Sequence, residues 1–283
     1  MEIKTYQAEI FDSRRYRLAE APFYDERTGI ISFVDIIAGE LHLIKPDGSR
    51  ELIALGQQVG AAVPWEEPGS YLACATDGLY LVGEDNGART IRKICDTTGI
   101  FEDWQRCNDA KADPAGRLFV GTSAYKEGAP EGGNLYRVDL KAGEAGTPEF
   151  KVIRADTKIS NGMAWNSDRT KFFFSDSSEH AVFVYDYDFV SGDISNCKVL
   201  FDVTDGVSDG MCIDQEDNLW VAMWGGSRVE KRSSVTGELL AVVELPAKNV
   251  TSCCFLPDGK LLITSSGEDL DGEKDGMIFS CKL

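Results

Sequence analysis

One short phrase recurs six times along the chain: a small or polar residue opens an apolar stretch, and a turn follows five positions later. The copies are Glu20-Ala-Pro-Phe-Tyr-Asp25, Gly60-Ala-Ala-Val-Pro-Trp65, Asn108-Asp-Ala-Lys-Ala-Asp113, Asn161-Gly-Met-Ala-Trp-Asn166, Asp209-Gly-Met-Cys-Ile-Asp214 and Ser252-Cys-Cys-Phe-Leu-Pro257. Their first residues lie 40, 48, 53, 48 and 43 positions apart. A period of that size, with several strands and turns inside each unit, is the mark of a propeller-like array. The expectation is therefore an all-β, six-bladed β-propeller spanning residues 1–283 as a single domain.

The unit beginning at Asp209 displays the blade most clearly. Gly210-Met-Cys-Ile-Asp214, Leu219-Trp-Val-Ala-Met223, Arg228-Val-Glu-Lys-Arg232 and Glu238–Leu245 read as four strands separated by Gly, Asp and Asn turns. No long amphipathic helix is expected. The last unit has space for only three strands before Leu283, whereas a spare strand-like segment, Thr5-Tyr-Gln-Ala-Glu-Ile-Phe11, precedes Glu20. Pairing that segment with the last blade would close the array and hide two sheet edges at once.

If each phrase opens an innermost strand, Glu20, Gly60, Asn108, Asn161, Asp209 and Ser252 occupy equivalent places around one axis. A single Asn or Asp before a strand is ordinarily a turn former. Two carboxylates and two amides in register, with no basic residue among them, call for another explanation, since a buried carboxylate without a cation carries a steep desolvation cost. A divalent cation removes that cost. All-oxygen ligation points first to Ca²⁺, with Mg²⁺ and Mn²⁺ of the same hard class, and Zn²⁺ or Fe²⁺ left open. Zinc more often takes nitrogen or sulfur, and the chain has only two histidines, His42 and His180, neither at a ring position. Arg106 stands two residues before Asn108, which on a strand puts both side chains on one face.

Charge narrows the partners. Forty-seven acidic residues against 29 basic ones give a formal charge of −18, which repels phosphate backbones and anionic lipid. Nucleic acid and membrane are therefore not expected as partners. The N-terminus has no signal-peptide pattern and no apolar run reaches membrane-spanning length, so a cytoplasmic location is expected. The eight cysteines form no C-x-x-C pair and lie in or beside strand-like runs, where reduced thiols act as small hydrophobes. Two motifs are decoys. Gly206-Val-Ser208-Asp-Gly210 fits a nucleophile elbow, but a strand follows the serine and no histidine lies downstream. The acidic run Glu268–Gly276 has its glycine misplaced for an EF-hand and reads as a solvated hairpin tip.

Taken jointly, several stretches resemble the family of senescence marker protein (regucalcin), gluconolactonase and luciferin-regenerating enzyme. They are Ala19-Glu20-Ala-Pro with Phe33-Val-Asp35, Arg106-Cys-Asn-Asp-Ala-Lys-Ala-Asp-Pro-Ala-Gly116 with Gly121-Thr122, Ser160-Asn-Gly-Met-Ala-Trp165, Asp176-Ser177, Tyr185-Asp-Tyr-Asp188, and Ser208-Asp-Gly210 followed by Leu219-Trp-Val-Ala. They run in family order along nearly the whole chain. The resemblance implies a divalent metal held by Glu20, Asn161 and Asp209, with Arg106 and Asn108 contacting a sugar lactone. Two departures stand out. Animal relatives place a sugar-holding Glu on the loop after Gly-Thr, where counting forward reaches Lys126 here, and the first motif reads Glu-Ala-Pro where many relatives have Glu-Gly-Pro. The first puts the choice of sugar in question, and the second reads as mild.

The expected activity is hydrolysis of an aldonolactone to its open acid, in carbohydrate metabolism. Asp209 is the expected proton acceptor, and Lys126 an expected substrate contact. A non-catalytic calcium-binding regulator and a propeller esterase or phosphotriesterase are the rival readings. Whether the chain is a monomer or a weak dimer stays open.

Overall fold

A computed structural model describes residues 3–140 and 148–283. The chain begins with two short strands, β1 (Lys4–Gln7) and β2 (Glu9–Asp12). Blade one follows as β3 (Ala19–Asp25), β4 (Ile30–Asp35), β5 (Glu40–Ile44) and β6 (Arg50–Ala54). Blade two is β7 (Val59–Pro64), β8 (Tyr71–Ala75), β9 (Gly78–Asp85) and β10 (Ala88–Asp96). Blade three is β11 (Gln105–Ala112), β12 (Leu118–Ala124), β13 (Gly133–Asp139) and β14 (Glu149–Thr157). Blade four is β15 (Ser160–Trp165), β16 (Lys171–Asp176), β17 (Ala181–Tyr187) and β18 (Ile194–Asp202), interrupted by a 3₁₀ turn over Ser177–Glu179. Blade five is β19 (Val207–Ile213), β20 (Asn218–Trp224), β21 (Arg228–Ser233) and β22 (Leu239–Glu244). Blade six is β23 (Asn249–Phe255), β24 (Lys260–Ser266) and β25 (Ile278–Lys282). Each blade is a meander in chain order, the pattern of a six-bladed β-propeller.

Burial falls steadily across a blade. In blade two, β8 is buried throughout, β9 frays into exposure, and β10 is mostly exposed. A strand covered on both faces must be apolar at successive positions rather than alternate ones. Hence β20 carries Leu219-Trp-Val-Ala-Met223, an unbroken apolar run that is buried throughout. The exposed outer strand β10 instead carries Arg89, Arg92 and Lys93, charges that blunt an edge against stray pairing.

The recurrent turn after the innermost strand has a common physical cause. Asp113 Oδ1 accepts the Ala115 and Arg117 amides at 2.9 Å each. Asp214 does the same for Glu216 at 3.0 Å and Asn218 at 2.8 Å. Asn166 Oδ1 takes the amides of Thr170 at 3.0 Å and Lys171 at 2.8 Å. One side-chain oxygen thus satisfies two turn amides and reverses the chain, as short polar side chains do in Asx turns.

By its contacts the chain resolves into two compact units, one made of the first 22 residues with Asn161–Leu283, the other of Phe23–Ser160. In the first unit the N-terminal segment does more than the expected closure. It divides at Ala8: β2 pairs antiparallel with β25 and completes blade six, whereas β1 pairs parallel with β22 as a fifth strand on blade five. Ala8 N donates to Glu244 O at 3.0 Å, and Gln7 Nε2 to Glu244 Oε2 at 2.6 Å. Tyr6 and Ala8 pack against the cluster of Trp220, Val243, Val250, Ile263 and Phe279 that spans these two blades. The segment is therefore a strap across two blades.

Deleting the first 12 residues should lower the melting temperature by roughly 10 °C, because two ladders and their apolar cover are lost together. Thermal unfolding followed by circular dichroism measures this, and a truncated chain that melts like the intact one would contradict the strap.

Candidate functional site

The innermost strands share an irregularity that the phrase pattern does not reveal. In β7 the ladder skips Gly60, between Val59 and Ala61. In β11 it skips Asn108, between Cys107 and Asp109, and in β19 it breaks between Ser208 and Met211, around Asp209. In β23 it skips Thr251, between Val250 and Ser252. These are bulges, which release one residue from the pairing and re-aim its side chain. The position in register with Asp209 is therefore Thr251, one residue before the expected Ser252, and both residues are buried. Alternation of apolar residues does not locate a bulge, so spacing alone misses by one.

Within the first unit these bulged segments touch in sequence. A Cβ on Gly162 would lie 2.5 Å from Asp209 O, and one on Gly210 would lie 2.1 Å from Ser252 Oγ. Only glycine permits that approach, which accounts for Asn161-Gly and Asp209-Gly in the repeat. Thr251 Oγ1 donates to Ala19 O at 2.6 Å, tying β23 to the residue before Glu20. Asn161 Nδ2 donates to Ser177 Oγ at 2.9 Å, and Ser177 Oγ donates to Ser208 O at 2.7 Å, beside Asp209. Ser177 and Thr251 are participants that the sequence reading missed; Ser177 stood in a quoted motif without a role.

Glu20, Asn161 and Asp209 are each nearly buried, at 5%, 6% and 6% exposure. Two carboxylates and an amide oxygen are hard oxygen donors, the chemical type that a divalent cation such as calcium or magnesium takes. Among the described residues no three His, Cys, Asp or Glu side chains gather as a metal-binding group. The histidines are engaged elsewhere. His42 stacks on Phe33 at 5.0 Å between ring centroids and meets Glu40 at 3.0 Å, and His180 is exposed at the end of the 3₁₀ turn.

Glu20 also shapes its own backbone. Its Oε2 accepts the Ala21 amide at 2.7 Å, and Ala21 adopts φ 47°, in the left-handed region. The Glu-Ala-Pro departure is thus not neutral for the backbone, since a Cβ in that region costs about 1–2 kcal/mol.

In the second unit, Arg106 and Asn108 are hydrogen-bonded to one another across the bulge of β11. Arg106 Nη1 donates to Asn108 Oδ1 and to Cys107 O, both at 2.8 Å. Asn108 Nδ2 donates to Ser160 O at 3.0 Å, so the amide is held at both ends. The next residue, Asp109, has its carboxyl pushed up to about 6, because burial disfavours the anion more than Lys111 and the Ala110 amide favour it.

Lys126 does not stand alone on its loop. Its ammonium lies 3.3 Å from Asp103 Oδ2 and 5.9 Å from the centre of the Tyr125 ring. Asp103 and Tyr125 line a cavity of about 400 Å³, along with Thr97, Phe101, Glu102 and Gln105. With Asp103 largely exposed, this ion pair holds the lysine only loosely. The decoy serine is disposed of by packing: Ser208 is fully buried on β19 and its hydroxyl accepts from Ser175 Oγ at 2.6 Å. In the acidic run, Asp275 is buried and accepts the Lys248 amide at 2.8 Å, a structural bond rather than a calcium loop. No helix among the described residues is long and apolar enough to cross a membrane.

A six-bladed propeller with oxygen-bearing residues at the bulges of β11, β19 and β23 is the class of protein that these strands define. Residues 18–267 match the SMP-30/gluconolactonase/LRE-like region, and the chain belongs to that family. It is 33% identical over 290 residues to regucalcin of Gallus gallus, covering 96% of this chain and 90% of the relative. It is also 33% identical over 277 residues to YvrE of Bacillus subtilis, provisionally named a sugar lactone lactonase, covering 94% and 91% of the two chains. Among solved structures, a luciferin-regenerating enzyme superposes with a TM-score of 0.86 at 30% identity, covering 98% of this chain and 95% of that one. A regucalcin from Agrobacterium tumefaciens described as a calcium-binding protein gives 0.88 at 25% identity, covering 100% and 96%.

Two outcomes follow from this geometry. Ala21→Gly should stabilise the fold by about 1 kcal/mol in denaturant unfolding, and a loss of stability would show that the left-handed backbone carries no strain. For Asp109 the folded-state value lies above the unfolded one, so its contribution is greatest below about pH 4 and is lost as pH rises through 6. Asp109→Asn should therefore raise the melting temperature by several degrees at pH 8 and leave it unchanged at pH 4. An unaltered pH profile would remove the burial argument.

Proposed function

We propose that the protein is a divalent-cation-dependent lactonase that opens a sugar lactone to its aldonic acid. The observation that carries this reading is the burial of Glu20, Asn161 and Asp209 on inner segments linked through Ser177, Thr251 and the two glycines. Glu20, Asn161 and Asp209 would hold the ion, Ca²⁺ first among the candidates. Bound there, a divalent cation would supply Lewis acidity to the lactone carbonyl and make nearby water more acidic.

The chain's own groups supply the rest. Asp209 accepts the proton of the attacking water on a carboxylate oxygen, the general-base role. Arg106 and Asn108 orient the ring hydroxyls and the carbonyl, and because each is already clamped, little freedom remains to be lost when substrate binds. Lys126, paired with Asp103 of the cavity lining, tunes which lactone is accepted. Release of the loose Asp103 contact would free its ammonium for an anionic substituent, which favours lactones bearing a carboxylate or phosphate. The partner is thus a small molecule, and the surface charge of −18 argues against nucleic acid and anionic membranes.

One other reading has a specific observation behind it. Regucalcin relatives and a structure described as calcium-binding fit a protein that binds the ion without turning over a lactone. An esterase or phosphotriesterase on the same fold is separated from both by its substrate.

Turnover of a panel of neutral and anionic aldonolactones should vanish after chelation and return when Ca²⁺, Mg²⁺, Mn²⁺ or Zn²⁺ is restored. Asp209→Ala should lower kcat by about 10²–10⁴-fold, the range for loss of a positioned acid–base group. Full activity in the chelated protein, or in the Asp209 variant, would contradict the assignment. Ion binding with no turnover of any lactone would favour the regulator instead.

A further inference from the structure

Two thiols from neighbouring blades meet in the core of the first unit. Cys212 on β19 and Cys253 on β23 have their sulfurs 3.5 Å apart, and both are buried, at 9% and 2% exposure. Backbone placement makes the meeting a consequence of the inner-strand packing. Gly210 lets β19 approach Ser252 so closely that the side chains two residues past Gly210 and one past Ser252 fall against each other. Cys253 Sγ also donates to Trp220 O at 3.4 Å, so the thiol is oriented within the cluster of Trp220, Val250 and Ile263. All eight cysteines are reduced in this structure.

We propose that Cys212 and Cys253 form a modification site in which a hydroperoxide converts the pair to a disulfide joining blades five and six. A sulfur–sulfur bond of about 2.05 Å requires the two sulfurs, 3.5 Å apart, to close by about 1.5 Å. Burial restricts the oxidant to one as small as hydrogen peroxide. Cys212, the more exposed of the two, attacks a peroxide oxygen; the O–O bond breaks, a sulfenic acid forms, and the departing hydroxide takes the thiol proton. Cys253 then attacks that sulfur, forming the S–S bond and releasing water with the second thiol proton. Two thiols and one peroxide thus give one disulfide and two waters, with two electrons passing from sulfur to oxygen.

The bond closes a loop across a sequence separation of 41 and restricts the unfolded chain accordingly. It also fixes the spacing of β19 and β23, the strands that carry Asp209 and Thr251. The proposal is independent of the lactonase reading, because it concerns only sulfurs in contact and the strands that hold them.

Peroxide treatment of the folded full-length chain, followed by denaturation, alkylation and non-reducing tryptic mapping, tests it. A linked pair of peptides containing Cys212 and Cys253 is expected, with both residues protected from alkylation together and recovered by dithiothreitol. The melting temperature of the oxidised protein should rise by several degrees and fall back on reduction. Cys254→Ser should retain the linkage, whereas Cys253→Ser and Cys212→Ser, each checked for a cooperative melt, should abolish it. Independent alkylation of Cys212 and Cys253 after peroxide would overturn the proposal. So would a linkage that survives Cys253→Ser, or oxidation of Cys212 stopping at the sulfinic acid.

Discussion

The rest of the structure depends on burying Glu20 and Asp209 at the inner ends of strands that are covered on both faces. A carboxylate there loses its water, and the loss must be offset by cations or by donated hydrogen bonds. The inner segments are built around that need. Bulges at Asn108, Asp209 and Thr251 release side chains from the ladder, and glycines at 162 and 210 bring the next strand close enough for its backbone to participate. Ala21 accepts a left-handed backbone so that Glu20 can receive its amide. These are local costs of roughly 1 kcal/mol each, and folds concentrate such costs where a site must be held open to a ligand.

The outer architecture answers a different problem. The outermost strand of a blade presents an edge, and an uncovered edge invites pairing. Blades two and three end in charged strands, whereas blades five and six are covered by the two halves of the N-terminal strap. That strap and the bulged strands β19 and β23 belong to one unit, and so do Glu20, Asn161 and Asp209, the residues proposed to hold the ion. Rigidity suits a site whose ligands must be in place before the ion arrives.

Much of this was legible in the residues. Inner strands such as Leu219-Trp-Val-Ala-Met223 read as continuous apolar runs because they are buried on both faces, and Asp113 and Asp214 announced turns because a short carboxylate can hold two amides at once. Arg106 and Asn108 do meet, although the bulge at Asn108 interrupts the two-residue period that suggested it. Other features were hidden for definable reasons. A bulge inserts one residue without altering composition, so Ser252 was taken for Thr251. The division of the N-terminal strand at Ala8 depends on two separate edges, β22 and β25, that no local pattern connects. Ser177 acts through a hydrogen-bond bridge between distant segments, and the Lys126–Asp103 contact joins two loops; neither leaves a periodic trace.

The account comes down to whether three oxygen-bearing side chains from β3, β15 and β19 share one dication. Anomalous diffraction from crystals soaked in Mn²⁺ at the metal's absorption edge answers this directly. A single strong peak within about 2.0–2.6 Å of oxygens from Glu20, Asn161 and Asp209, lost in Asp209→Ala, is the predicted result. A peak lodged elsewhere, or well-ordered side chains that turn away from one another with no ion between them, would contradict it.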